Sequence, residues 1–136
     1  MSTRREAREC SLKMLYMFDN CAMQEQDIFK VFDEVLPKEV AYREFTVKIF
    51  RGVCQNQTQI DNIIEKYADN WDIKRMSVID RNIIRLACFE VLYMKETPIN
   101  VIIDEAVEIA KKYSNKDSSK FVNGVLDKIQ IERNKK

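Results

Sequence analysis

The 136-residue chain has no histidine, two glycines and two prolines, and its formal charge at neutral pH is only +1. Without histidine there is no Ser-His or Cys-His nucleophile pair, no imidazole metal ligand and no imidazole proton shuttle. Gly52 and Gly124 stand alone, so a glycine-rich phosphate cradle is also excluded. So few chain breakers leave little material for the turns of an all-β fold, and 46% hydrophobic with 33% charged residues describes a helical protein. Balanced charge supplies no global field for a polyanion, so any such site depends on local segregation of charge. No run approaches the roughly 20 apolar residues that cross a bilayer, and Met1-Ser2-Thr3-Arg4-Arg5-Glu6 carries no apolar signal core. A non-enzymatic, cytoplasmic protein without cofactor, metal site or membrane segment is expected.

What is present is helical periodicity. A chain of this length folds as one domain and buries about two-thirds of its unfolded surface. Thr3 and Glu6 form a T-x-x-E capping box, which starts a helix close to the first residue. Ala7, Cys10, Met14, Phe18 and Cys21 make its apolar stripe. A second helix is expected over Asp27 to Leu36, with Ile28, Val31, Phe32 and Val35 on one face and Pro37 ending it. A third carries Phe45, Ile49, Phe50 and Val53. The polar run Gln55 to Gln59 breaks the pattern, which resumes at Ile60, Ile63, Ile64 and Tyr67 in a short fourth helix.

Asn70-Trp71-Asp72 marks a connection, and Ser77 with Asp80 opens a helix to about Met94 whose wide apolar surface makes it the expected centre of the fold. Asn100 is expected to cap a helix to Tyr113, and Asp117 or Ser118 a last one to about Glu132. Lys135 and Lys136 then form a basic tail. Both glycines fall inside helices, where close approach of another backbone is the usual compensation. The four cysteines, Cys10, Cys21, Cys54 and Cys88, have no C-x-x-C pair and read as small buried hydrophobes in a reducing compartment. The architecture expected is all-α, about seven helices in one domain, with sub-bundles at about 1–70 and 71–136.

Charge is segregated at two places. Arg4, Arg5 and Arg8 fan out along one flank of the first helix, followed on the same arc by Leu12 and Tyr16. The guanidinium fork fits phosphate, and the apolar and aromatic arc offers a stacking platform or a protein anchor. The alternative is a solvated face with the arginines paired to Glu6 and Glu9. The second place is Asp117-Ser118-Ser119-Lys120-Phe121-Val122-Asn123, where hydroxyls, a lysine, an aromatic ring and an amide gather at a helix start whose free amides attract phosphate. Lys111, Lys112, Lys116 and Lys120 lie nearby, and lysines at a helix end also complement the helix dipole. Asp104 and Glu108 are spaced to pair with Lys111 and Lys112. Asp80, Arg81, Arg85 and Glu90 sit inside the most apolar helix, where buried charges must be paired; an ion network tying helices together is expected.

Taken together these residues resemble the NusB family of transcription antitermination factors over nearly the whole chain. The opening Arg4-Arg5-x-Ala7-Arg8 with Leu15-Tyr16 is similar to the family's arginine-rich start. The middle matches in Asp80-Arg81-x-Ile83-Ile84-Arg85-Leu86-Ala87-x-x-Glu90 and in Pro98-x-x-Val101-x-Ile103-Asp104-Glu105-Ala106-Val107. The end matches in Ala110-Lys111-Lys112-Tyr113 and Lys120-Phe121-Val122-Asn123-Gly124-Val125-Leu126-Asp127-Lys128.

The resemblance implies two small helical bundles and RNA binding instead of catalysis. The RNA would be the boxA element of nascent ribosomal RNA transcripts, bound together with NusE, a small-subunit ribosomal protein. The assembly on RNA polymerase would suppress premature, including Rho-dependent, termination. By the same resemblance Arg4, Arg5 and Arg8 would contact RNA, with Asp117, Lys120, Phe121 and Asn123 as the second side of that surface. Leu12, Tyr16 and Asp80 would belong to the NusE interface. The family commonly carries glutamate at Asp80 and asparagine-glutamate at Asp104-Glu105, departures that keep polarity. The alternatives are a purely protein-binding helical adaptor, with the arginines only a rim, and a detached domain of an RNA-modifying enzyme. Both a monomer and a homodimer fit the sequence.

Overall fold

Apolar residues spaced by three and four can be buried only if the chain packs as helices, and the computed structural model does so throughout. It describes residues 3–69 and 72–135. The helices are α1 (Arg4–Asn20), α2 (Glu25–Phe32), α3 (Val40–Gln55), α4 (Gln57–Tyr67), α5 (Val78–Tyr93), α6 (Ile99–Tyr113) and α7 (Lys116–Ile129). Short 3₁₀ turns, Ile73–Arg75 and Gln130–Asn134, precede α5 and follow α7. Among the described residues there is no strand, in accord with the all-α expectation of about seven helices. Asn70 and Trp71 of the expected connection and Lys136 of the expected tail lie outside the described residues.

The helix starts follow local chemistry. The Thr3 hydroxyl accepts from the Glu6 amide at 3.1 Å, and Ser77 accepts from the Asp80 amide at 3.1 Å. Asn115, not Asp117 or Ser118, caps α7 by accepting from the Ser118 amide at 2.8 Å. Pro98 opens α6, which puts Asn100 inside its first turn. Asn56 alone separates α3 from α4. In this glycine-poor chain the turn after α1 falls to Ala22, at φ 53°.

α5 is the hub. α1 packs on α3 and α6 packs on α7, while α5 lies against both pairs and against α4. Ile83, Ile84, Leu86, Ala87, Cys88 and Val91 are all sealed from solvent. At the C-terminal end of α5, where carbonyls lack helical partners, Arg133 donates to the carbonyls of Val91 at 2.9 Å and Thr97 at 2.8 Å. The expected ion network is present. Asp19 of α1 accepts from Arg81 at 2.7 Å, Asn82 at 2.9 Å and Arg85 at 2.9 Å, and Arg85 continues to Asp61 of α4 at 2.8 Å. Burial pushes the Asp19 carboxyl up, but hydrogen bonds from Arg81 and Asn82 outweigh it and hold the group below its usual range.

Several expectations are corrected. α2 ends at Phe32, short of Leu36, and of its expected apolar face only Ile28 is sealed, while Val31 and Val35 are exposed. Cys10 and Cys88 are buried, but Cys54 is half-buried and Cys21 exposed. Gly52 does permit close approach, to a side chain: a Cβ there would lie 2.1 Å from the Phe89 ring. Gly124 has nothing within 4 Å of the corresponding point, so no neighbour requires it.

Candidate nucleic-acid interface

The three arginines of α1 do not share one environment. Arg4 is exposed, its guanidinium carbon 4.7 Å from the centroid of the Phe45 ring of α3. Arg5 reaches across to α6, where its Nε lies 3.2 Å from both carboxylate oxygens of Glu105 and its Nη2 makes a further bond to the same group. This pairing holds the Arg5 guanidinium above its ordinary range.

Arg8 turns inward and is only 2% exposed. Its Nε and Nη2 donate to the two oxygens of Glu90 on α5 at 2.8 and 2.7 Å, and its Nη1 stands 3.7 Å from Glu105. The flank of three arginines read from the sequence is thus two at the surface and one beneath it. A buried guanidinium needs a carboxylate, and α5 provides one. Neither surface arginine pairs with Glu6 or Glu9. Glu9 instead accepts from Lys112 at 2.8 Å and Tyr113 at 2.7 Å. Burial pushes the Glu9 carboxyl up, yet these two donors outweigh it and keep the group ionised below its usual range. Of the pairs expected along α6, Lys111 with Glu108 forms at 3.4 Å, whereas Lys112 serves α1.

Beyond Glu9 the surface turns apolar. Leu12, Lys13, Tyr16, Met17, Phe32, Ile79 and Tyr113 line a groove of about 470 Å³. Leu12 is buried in its floor and Tyr16 is half-buried along it. Ile79 leads to Asp80 at the head of α5, which meets the head of α7: the Ser118 hydroxyl donates to Asp80 Oδ2 at 2.9 Å, while the buried Oδ1 has no hydrogen-bond partner among the described residues. Asp80, Asp117, Ser118 and Phe121 belong to the rim of a second cavity of about 350 Å³. Asp117, Lys120 and Asn123 are exposed on α7, and Phe121 is half-buried.

Tyr113 therefore links Glu9 of α1 to the groove, and Ile79 and Asp80 of α5 lead from the groove to the head of α7. The sequence reading missed Glu105, Phe45 and Asp19 as partners, and it offered Glu9 to the arginines where it serves Lys112 and Tyr113. The bonds that Glu105 and Glu9 make span 100 and more positions and leave no local spacing to detect.

An all-helical fold with an apolar groove and exposed cations on α1 and α7 describes a class: a binding module that presents a mixed polar and apolar face. The chain belongs to the NusB family, whose model matches residues 5–131. That family is one of transcription antitermination factors and is not known as a family of enzymes. The chain is 44% identical to the transcription antitermination protein NusB of Elusimicrobium minutum, over 98% of this chain and 96% of that protein. It is 41% identical to the NusB of Geobacter sulfurreducens, over 95% and 94%. Among solved structures, NusB of T. maritima superposes with a TM-score of 0.86 at 38% identity, covering 96% of this chain and 92% of that one. A crystal structure of antitermination factors NusB and NusE in complex with double-stranded RNA contains a chain that matches with a TM-score of 0.85 at 30% identity, over 94% and 96%. Among the described residues no helix is long and apolar enough to cross a membrane.

Proposed function

We propose that this protein is an antitermination factor that binds boxA RNA of nascent ribosomal RNA transcripts together with the ribosomal protein NusE. It works as a single domain in the cytoplasm, joins a complex on RNA polymerase and suppresses premature termination without catalysing a reaction. The observation that carries the reading is the apolar groove that holds Leu12 and Tyr16 of α1 and leads through Ile79 to Asp80, which Ser118 ties to the head of α7. Its likeness to the partner-bound NusB chain supports it.

Arg4 and Arg5 meet phosphate and Arg8 braces them from below. Lys120 adds a phosphate contact, the Phe121 ring stacks on a base, and Asp117 and Asn123 read base edges. NusE occupies the groove, with Leu12 and Tyr16 as anchors and Asp80 at its edge. Few unpaired cations give weak RNA binding alone, so the composite surface with NusE supplies the affinity.

The test is fluorescence anisotropy of labelled boxA RNA against a scrambled RNA at physiological salt, with and without NusE. Sequence-dependent binding that strengthens with NusE is expected; equal weak binding to both RNAs refutes the reading. One observation favours a protein-only adaptor: Arg5 and Arg8 are already held by carboxylates. Substituting Arg5 and Lys120 with alanine separates the two readings. Loss of RNA with NusE binding intact supports the RNA adaptor, whereas loss of NusE alone supports the other.

A further inference from the structure

We infer that Glu105 occupies Arg5 in place of an RNA phosphate and thereby sets the threshold for binding at the arginine face. The inference rests on the RNA-binding reading above. A carboxylate and a phosphodiester offer the guanidinium fork the same pair of oxygens, so one can replace the other without rebuilding the site. Arg5 donates from both Nε and Nη2 to Glu105, which is the geometry a phosphate would require.

The two partners differ in freedom. The Arg5 side chain is 47% exposed and Glu105 only 18%, so the arginine is the member that can swing out while the glutamate stays on α6. Glu105 is not stranded when Arg5 leaves, because Nη1 of the buried Arg8 remains 3.7 Å away. That second cation makes the exchange reversible at small cost. An exposed pair is weak enough for a well-placed phosphate to displace, yet it subtracts from the affinity of any RNA that offers nothing else. A ligand that also engages the head of α7 and a bound protein recovers the loss; a stray polyanion does not.

The experiment measures anisotropy of the boxA and scrambled RNAs with NusE present for wild type, E105Q, R5A, the double variant and E108Q. Circular dichroism melts check that each folds. E105Q should bind both RNAs about three- to tenfold more tightly, through loss of the competing carboxylate. The gain should vanish in the R5A background, because nothing is left to release. Glu108 lies one turn along the same helix, forms its ion pair with Lys111 and makes no hydrogen bond to Arg5 among the described residues. E108Q removes the same charge and should change affinity less than about twofold. E105Q binding no better than wild type, or E108Q matching E105Q, overturns the inference while leaving the RNA reading intact. R5A indistinguishable from wild type overturns Arg5 as an RNA contact, and the inference with it.

Discussion

The cations of α1 and those at the head of α7 are held in opposite ways. On α1, Arg8 is locked to Glu90, Arg5 is bridged to Glu105 and Arg4 lies over Phe45. On α7, Lys116 and Lys120 are exposed and meet no carboxylate among the described residues. The arginines thus bear on the fold as well as on the proposed RNA face, while the lysines bear on that proposed face alone. Substitutions on α1 should mix stability with binding, and substitutions on α7 should separate them.

The largest effect expected from this contrast is at Glu90. Glu90→Ala leaves the Arg8 guanidinium buried without its partner, and breaking such a pair costs about 3–5 kcal/mol. Urea unfolding monitored by circular dichroism measures it; a loss below about 1 kcal/mol would show that the pair does not hold α1 to α5. Replacing both partners, as Arg8→Met with Glu90→Leu, should return most of the stability, because two apolar side chains avoid the cost of dehydrating two charges. RNA binding by that double variant then reports what Arg8 contributes to the face, free of any folding defect.

Next in size is Gly52→Ala, at the contact between α3 and α5. A methyl group there would collide with the Phe89 ring, which is buried and leans on Tyr93 with centroids 5.2 Å apart. Overpacking of this kind costs about 1–3 kcal/mol, and the shift in the urea midpoint gives the value.

These examples also mark what sequence reasoning can reach. Periodicity located the helices, and hydroxyl caps located the starts of α1 and α5, because both depend on neighbours within four residues. Charges inside an apolar helix announced that partners must exist, and Arg81, Arg85 and Glu90 found them. Which partners they found was not legible. Asp19, Asp61 and Arg8 reach α5 only through packing, and nothing in their own segments distinguishes them from surface charges. The same gap hid the split among the arginines: Arg4, Arg5 and Arg8 are adjacent on a helical wheel, yet the neighbouring α5 and α6 decide which one is buried. α2 failed differently: its apolar pattern ran on past Phe32, where the helix stops and Val35 is left exposed, and Val31 is exposed within the helix itself. Gly52 and Gly124 carried identical signals, and only the position of Phe89 tells them apart.

The smallest effect expected has the opposite sign. Gly124 lies on the exposed face of α7 with a negative φ and nothing near the position a Cβ would take. Gly124→Ala should therefore stabilise the protein by about 0.5–1 kcal/mol, chiefly by narrowing the unfolded ensemble. Gly124 borders a shallow cavity of about 210 Å³ that it shares with Lys120 and Phe121, which places it beside the proposed RNA surface. If RNA passes over Lys120 and Phe121 without touching the α7 backbone, the variant gains stability and keeps its affinity. If the RNA backbone packs against Gly124 itself, the methyl group weakens binding while stability still rises. Either result pulls folding and recognition apart at α7 with a single substitution, whereas the interlocked Arg8 of α1 requires a paired one.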